Sequence, residues 1–397
     1  MKWEKVKLSE VTEYITDGDH QPAPKSDSGV LFVKIKDIQD NRLTFDNALF
    51  VPQEYYNRLP KNRKAEYGDT LYTVVGSYGI PAFVNHNIPF CFERNIALLH
   101  PNNRVIPKYL YYAVNNPIFY GNANNIANGS AQKLIPLSKL AGMEISVPPI
   151  ERQEPIVNIL SAYDDLIENN QNQIKLLEEA AQRLYKEWFI DLRFPGHENV
   201  KIVDGVPEGW ERMVLSEVTS ILKRGISPKY SDNGKYSVIN QKCIRSSIMD
   251  ISESRRQEKE YVPTLNLQDS DTVICSTGTG TLGRVGRVYG DYPNTTFDSH
   301  VTLVRAKENP NYIYHVVKSQ QEYLMGMGRG STNQQELYRD VIERLVVLCP
   351  SQDILLKAER VLNAIHCKIK AVYLQNNLLV ESRDRLLPKL MSGEIEV

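Results

Sequence analysis

The sequence predicts an α+β chain: two tandem β-rich domains, each followed by a long helix, with the two helices packing as an antiparallel coiled coil. Three observations carry this. The first is an internal repeat. Residues 3–12 read WEKVKLSEVT and residues 210–219 read WERMVLSEVT, identical at seven of ten positions. The second is the spacing of short β-type runs broken by Gly and Pro across the first ~150 residues of each copy. The third is a strict 4-3 apolar spacing at the end of each copy, the mark of a coiled coil rather than of a generic amphipathic face.

The repeat keeps its order along the chain. Gly18 matches Gly225. GDTLYTVVG from Gly68 answers SDTVICSTG from Ser270, and FERNIAL from Phe92 answers FDSHVTL from Phe297. KYLYYAV from Lys108 answers NYIYHVV from Asn311, and Gly129-Ser130 answers Gly330-Ser331. A period of about 200 residues is a domain duplication, not a solenoid. The expected boundaries are 1–150 for the first domain, 151–193 for its helix, 194–209 for a linker, 210–350 for the second domain and 351–390 for its helix.

Within the domains, Val30–Ile35 and Asp69–Val75 read as strands, and Trp3 and Trp210 read as core anchors that open each copy. The first helical seam runs Ile156, Leu160, Tyr163, Ile167, Asn170, Ile174, Leu177, Ala181, Leu184, Trp188. Pro155 suits an early helix position, and Phe194-Pro195-Gly196 reads as the stop. The second seam runs Leu355, Ala358, Leu362, Ile365, Ile369, Val372, Asn376, Leu379, Arg383, Leu386, with Pro388 expected to break it. At 1.5 Å per residue, ~36 residues make a helix of roughly 54 Å. Each seam holds one Asn near its middle. Asn170 and Asn376 are therefore the expected helix-pairing residues, each the natural partner of the other. Parallel pairing is sterically possible, but the pseudo-symmetry favours the antiparallel arrangement. Trp188 and Phe189, at the end of the first helix, suit either the core or a docking face.

Composition bounds the function. The net charge is −1, so any nucleic-acid affinity has to be local. Residues 1–150 carry 16 basic and 14 acidic side chains, and residues 151–206 carry 6 and 11. The first domain is thus mildly basic and the first helix acidic. No apolar run reaches ~18 residues, and charges stand where a signal core would lie in MKWEKVKLSE, so a cytoplasmic protein is expected. Five scattered Cys without a C-x-x-C pair suggest single buried thiols.

Catalytic tools are sparse. The sequence holds no H-E-x-x-H, no G-K-[ST] phosphate loop and no Asp or Glu two residues before a Lys. Asn115-Asn116-Pro117-Ile118-Phe119 falls short of an amino-methyltransferase motif because the second Pro is missing. Gly278-Thr279-Gly280-Thr281-Leu282-Gly283 matches G-x-G-x-x-G, but strand-like residues follow instead of the helix that a dinucleotide site requires. A glycine-rich hairpin loop, open to close approach by a ligand or DNA, is the expectation there.

These residues together resemble the specificity subunit of Type I restriction-modification enzymes. The resemblance covers nearly the whole chain. It rests on LSEV at Leu8–Val11 and Leu215–Val218, GD-x-L at Gly68–Leu71, and GSAQ from Gly129. VPPIERQ at Val147–Gln153 and LLPKLMSGEI at Leu386–Ile395 add to it. The second copy departs from the pattern where Cys349-Pro350-Ser351-Gln352 replaces Pro148-Pro149-Ile150-Glu151.

The resemblance implies a non-catalytic subunit that binds double-stranded DNA. Each domain would read one half of a bipartite, asymmetric target, and the helices would fix the gap. Two methyltransferase (M) subunits would dock on the helices, and restriction (R) subunits would join the full complex. No cofactor is expected on this chain, since S-adenosylmethionine, ATP and Mg belong to those partners. A coiled-coil interaction scaffold without a DNA role is the rival reading.

Base-edge readers are typically Arg, Lys, Asn, Gln, Ser and Thr on loops held by a rigid scaffold. In the first domain the candidates are Gln21 and Lys25 in a polar loop, Lys34 and Lys36 on one strand face, Ser77 and Tyr78 in a glycine loop, and Ser130, Gln132 and Lys133. In the second they are Arg224, Ser227, Lys229 and Tyr230; Asn240, Gln241 and Arg245; Thr277 and Thr279; and Arg329, Ser331, Asn333 and Gln334. Asn95 and His300 occupy matching places in the repeat without a visible catalytic constellation.

Overall fold

The computed structural model describes residues 3–46, 48–129, 133–278, 280–330 and 335–397. Two compact units divide the chain: Met1–Asn169 with Asn376–Val397, and Asn170–Gln375. The duplication is visible strand by strand. In the first unit a four-stranded antiparallel sheet runs in the order Thr12–Asp17, Ile96–Pro101, Thr70–Thr73, Pro81–Phe83. The second unit repeats it with Thr219–Arg224, Val301–Ala306, Thr272–Cys275 and Val285–Arg287. Each unit adds a three-stranded mixed sheet. Val30–Val33 lies between Leu49–Val51 and the parallel Phe90–Phe92, and Tyr236–Ile239 lies between Arg255–Gln257 and the parallel Thr295–Phe297. A two-stranded ribbon in each unit ties the strand entering the domain to the strand leaving it, Glu4–Lys7 with Glu144–Val147 and Glu211–Val214 with Val346–Cys349. Thr272–Cys275 returns directly to Val285–Arg287, so the glycine run between them closes a hairpin and opens no helix.

Two repeated residues have a plain physical cause. A Cβ at Gly18 would collide with the carbonyl of Phe92, and one at Gly225 with the carbonyl of Phe297. The chain crosses the neighbouring strand there, and only hydrogen fits between them. The aspartate of GD-x-L is a buried staple. Asp69 accepts the Glu66 N–H at 2.7 Å and bonds His100 Nδ1 at 2.6 Å. Asp271 accepts the Gln268 N–H at 2.8 Å and both Arg305 Nε and Nη2 at 2.7 Å. Burial raises both carboxyl pKa values, and the hydrogen bonds, with the Arg305 guanidinium at Asp271, oppose that rise. A buried carboxylate without such partners would cost several kcal/mol, which explains why a nitrogen-bearing partner, His100 or Arg305, sits at the same place in both copies. Gln153 of the VPPIERQ run is a staple as well. It is fully buried, and it bonds the Ile106 N–H and the carbonyls of Arg104 and Pro148.

The long helices span Ile150–Tyr185 and Gln352–Ser392, and the unit boundary falls within both. In the first unit Asp164 meets Arg383 at 2.8 Å, and Asn376 Nδ2 donates to the Ile167 carbonyl at 3.3 Å. In the second, Asn170 Nδ2 donates to Gln375 Oε1 at 3.4 Å, and Ile174 and Leu177 pack beside Ile365 and Ile369. Within each unit a rising number on one helix meets a falling number on the other, so the segments run antiparallel. Every residue of the two expected seams is buried or half-buried. Asn170 and Asn376 are both buried, and each is bonded within its own unit.

Two helix limits differ from expectation. The first helix passes into a π-helical turn, Lys186–Ile190, and Leu192 takes a positive φ of 56°. The chain turns there, ahead of Phe194-Pro195-Gly196, so that Phe189 and Phe194 can pack on Trp210 at ring distances of 5.9 and 4.7 Å. Phe189 is buried in that core and Trp188 is partly so. Pro388 does not break the second helix, which continues to Ser392. A proline inside a helix costs about 3 kcal/mol. Leu387, Leu390 and Met391 are each at most 3 % exposed in the first core, and burying three such side chains is worth roughly 5–9 kcal/mol. Burial wins. Trp3 is only half-buried, with its Nε1–H donated to the Leu390 carbonyl at 3.3 Å, whereas Trp210 lies in the second core.

Of the five thiols, Cys91, Cys243 and Cys275 are buried, Cys349 is half-buried and Cys367 is exposed. Among the described residues no helix is long and apolar enough to cross a membrane.

Candidate nucleic-acid interface

In the first unit the polar loops converge on one turn. The strand Thr12–Asp17 crosses at Gly18, and Asp19 then bridges the backbone of Glu93. The Asp19 carboxylate accepts Tyr55 Oη–H at 3.0 Å and Arg63 Nη1–H at 3.1 Å, and Asp17 lies 2.9 Å from His20 Nε2. Both acids are thereby partnered. The Gln21 N–H leans on Asp19 at 3.3 Å, which fixes the start of the loop. The loop walls a recess of about 390 Å³ that also takes in Lys25, Lys34 and the turn Glu93-Arg94-Asn95. A second recess of about 470 Å³ shares His20, Arg94 and Asn95 and extends to Leu134–Leu137. Next to it, Gly76 N–H bonds the Lys133 carbonyl at 3.0 Å. Tyr78 stacks on Tyr120 at 6.3 Å, and Lys133 Nζ lies 5.9 Å from the Tyr78 ring. Lys25, Lys34, Arg94 and Lys133 therefore give this face a basic, aromatic-flanked character. Among the described residues none of these four is ion-paired with a carboxylate.

Lys34 and Lys36 do not share a strand face. The strand stops at Val33, because the Asp37 carboxylate accepts the Lys34 N–H at 2.8 Å and bends the chain into a 3-10 turn over Ile35–Asp37. Lys34 lines the recess, and Lys36 is the exposed residue of the turn.

The second unit repeats the frame with more of its side chains tied down. Ile226 bridges Asp298 as Asp19 bridges Glu93, and Thr277 bridges Glu336 as Val75 bridges Leu134. Arg224 bonds the Ser299 carbonyl at 2.5 Å and the Glu336 carboxylate. Lys229 pairs with Glu258 at 3.0 Å, and Arg245 with Glu253 at 3.4 Å. The Ser227 carbonyl accepts Lys259 Nζ–H at 3.1 Å. Tyr230 donates to Asp298 at 3.3 Å under the Arg255 guanidinium, 3.6 Å above its ring. Asp298 is buried, and desolvation raises its carboxyl pKa.

Asn240 departs from its expected surface role. It is 6 % exposed, and its Oδ1 caps the turn Gln241–Cys243 by accepting the Lys242 N–H. Gln241 is half-buried beside Gly278. Thr277 Oγ1 lies 2.5 Å from His300 Nδ1, and Arg329 lies 5.7 Å from the Tyr338 ring. Ser130, Gln132, Thr279, Ser331, Asn333 and Gln334 lie outside the described residues.

The candidates omitted Arg94 and Ser299, which sit with Asn95 and His300 in the two central turns, and Arg255 beside them. The signal was present, since FERNI and FDSHV are aligned segments of the repeat. Among the described residues no cluster of His, Cys, Asp and Glu could hold a metal ion.

Two β-rich domains of one topology, with antiparallel helix pairing in each unit, define a duplicated two-domain α+β protein. The family described as the Type I restriction modification DNA specificity domain matches residues 1–179 and 207–354. The chain belongs to this family and carries two of its DNA specificity domains.

Among its relatives, the Type I restriction enzyme MjaIX specificity subunit of Methanocaldococcus jannaschii is 28 % identical, over 78 % of this chain and 74 % of its own. The HindI specificity subunit of Haemophilus influenzae is 22 % identical, over 92 % and 94 %. The fold is similar to the crystal structure of a Type I restriction-modification S subunit from M. genitalium. Its TM-score is 0.58 at 17 % identity, covering 98 % of this chain and 96 % of that one.

Proposed function

We propose that this chain directs a Type I restriction-modification complex to a split, asymmetric DNA target, with one half read by each domain. The observation that carries the reading is the repeated frame. One bridge holds the turn and a second closes the neighbouring glycine-loop segment in both units, while the side chains around them differ, as two unlike half-sites would require. Phosphate contacts would position each domain, and base-edge contacts would specify the sequence. Half-sites about one helical turn, ~34 Å, apart on one face of the duplex suit two linked readers.

The paired helices set the gap and dock two methyltransferase subunits, and restriction subunits complete the assembly. The chain itself catalyses nothing. S-adenosylmethionine, ATP and Mg act on the partners, and the complex works in the cytoplasm. With a net charge of −1, the isolated chain binds DNA weakly and gains most of its phosphate affinity from the partners.

The test is methylome sequencing of a methylation-free host that expresses the cognate methyltransferase subunit with and without this chain. A split motif methylated only when the chain is present supports the reading. Identical methylomes, despite stable co-purification, favour the scaffold reading instead.

A further inference from the structure

We propose that Asn95 and His300 are paired specificity determinants, one contacting a base edge in each half-site, and that Thr277 positions His300. This rests on the function proposed above and assigns that function to particular atoms.

Glu93-Arg94-Asn95 joins Phe90–Phe92 to Ile96–Pro101, and Asp298-Ser299-His300 joins Thr295–Phe297 to Val301–Ala306. The two turns are closed alike. The Ile96 N–H donates to the Glu93 carbonyl at 3.1 Å, and the Val301 N–H to the Asp298 carbonyl at 3.0 Å. They are anchored alike to the segment that leads into the glycine loop. The Val74 N–H donates to the Asn95 carbonyl at 2.9 Å, and the Ser276 N–H to the His300 carbonyl at 2.7 Å. The acid that opens each turn is bonded as well. Glu93 accepts the Ile35 N–H at 2.7 Å, and Asp298 accepts the His300 N–H at 2.8 Å.

A loop whose main chain is pinned by equivalent bonds in both copies, while its outward side chains change from Arg-Asn to Ser-His, fixes position and varies chemistry. That is what two readers of different half-sites need, since a base contact demands a rigid mount.

The side chains fit the task. Asn95 lines both of the recesses that share His20 and Arg94. Among the described residues no group bonds its amide, so both its donor and its acceptor remain available. An amide of this kind pairs with adenine N6 and N7 in the major groove. His300 is exposed, and its Nδ1 meets the Thr277 hydroxyl. That contact orients the ring and leaves Nε2 without a partner among the described residues, where it can meet a base edge.

Methylome sequencing of Asn95→Ala, Asn95→Asp, His300→Ala, Thr277→Val and Thr277→Ser, each expressed with the methyltransferase subunit, tests this. The Asn95 variants should relax or change one base position in one half of the motif. His300→Ala and Thr277→Val should do so at one shared position of the other half, and Thr277→Ser should restore it. Discrimination at the affected position should fall about 10-fold, which is within the range of a single base-edge pair. The half that stays strict shows that the variant is folded. An unchanged motif in the Asn95 and His300 variants, decay of both halves together, or wholesale loss of methylation overturns the assignment. A Thr277→Val motif identical to wild type overturns the positioning role. A wild-type methylome with no motif dependent on the chain overturns the functional reading beneath it.

Discussion

The second unit buries two histidines in mutual contact, and this makes its stability sensitive to mild acid. His315 Nε2 and His366 Nε2 lie 3.0 Å apart, and Tyr289 Oη lies 2.8 Å from His366 Nδ1. Both rings are at most 4 % exposed. Burial, followed by the Arg287 charge, lowers His315 to about 3 and His366 to about 2. An unfolded histidine titrates near 6.5. The unfolded state therefore takes up protons below pH 6.5 that the folded unit refuses. Stability is complete above that value and falls as the pH drops through it toward 3. At pH 5.5 each unfolded ring gains RT ln 11, about 1.4 kcal/mol, and at pH 7.5 almost nothing. The two together cost about 2.7 kcal/mol over that interval.

Urea unfolding followed by tryptophan fluorescence measures this directly, because in a Trp3→Phe background the remaining tryptophans, Trp188 and Trp210, both lie in the second unit. The double variant His315→Leu/His366→Leu should lose most of the difference between pH 7.5 and 5.5. An equal pH dependence in the double variant and its parent would show that the buried histidine pair does not set the acid sensitivity.

Three further outcomes are expected. Gly225→Ala forces a Cβ into the Phe297 and Asp298 carbonyls; a loss of about 2 kcal/mol should lower the calorimetric Tm of the second unit by ~4–8 °C, and an unchanged Tm would contradict the close approach. Asp271→Ala removes the only carboxylate that Arg305 bonds among the described residues, leaving the guanidinium with the carbonyls of Thr264 and Asn266; urea titration should show a loss of about 3–5 kcal/mol. Lys34→Ala, in the complex with the methyltransferase subunit, should weaken binding equally on specific and non-specific duplexes; the slope of log K against log salt should become shallower by about 0.9, and a sequence-selective loss would instead make Lys34 a base reader.

Most of the architecture was legible because it is written twice. Seven identities in ten residues at the domain starts, and the matched Gly18 and Gly225, announced a duplication that the four-stranded and three-stranded sheets repeat strand for strand. The seams were legible because a period of 3.5 residues places its apolar side chains on one helix face whatever the rest of the chain does. Features that depend on distant partners were not. Nothing near Arg224 announces Glu336, 112 residues away, which ties it down. Asn240 reads as a surface amide until the turn it caps is seen. Lys34 and Lys36 alternate as in a strand, and only the Asp37 carboxylate, by bonding the Lys34 N–H, converts that stretch into a turn. Pro388 obeys a sound local rule and is overruled by three buried neighbours. The turns at Asn95 and His300 were visible as aligned segments, but the bonds that pin them come from residues that the linear sequence keeps apart.

The central claim is one domain, one half-site, and a domain exchange tests it most directly. Residues 1–150 would be replaced by the corresponding region of the Haemophilus influenzae relative, and the chimera expressed with the methyltransferase subunit in a methylation-free host. The expected methylome has one new half of the motif, the other half that of the parent chain, and an unchanged gap. A motif that changes in both halves, or in neither, would contradict the claim.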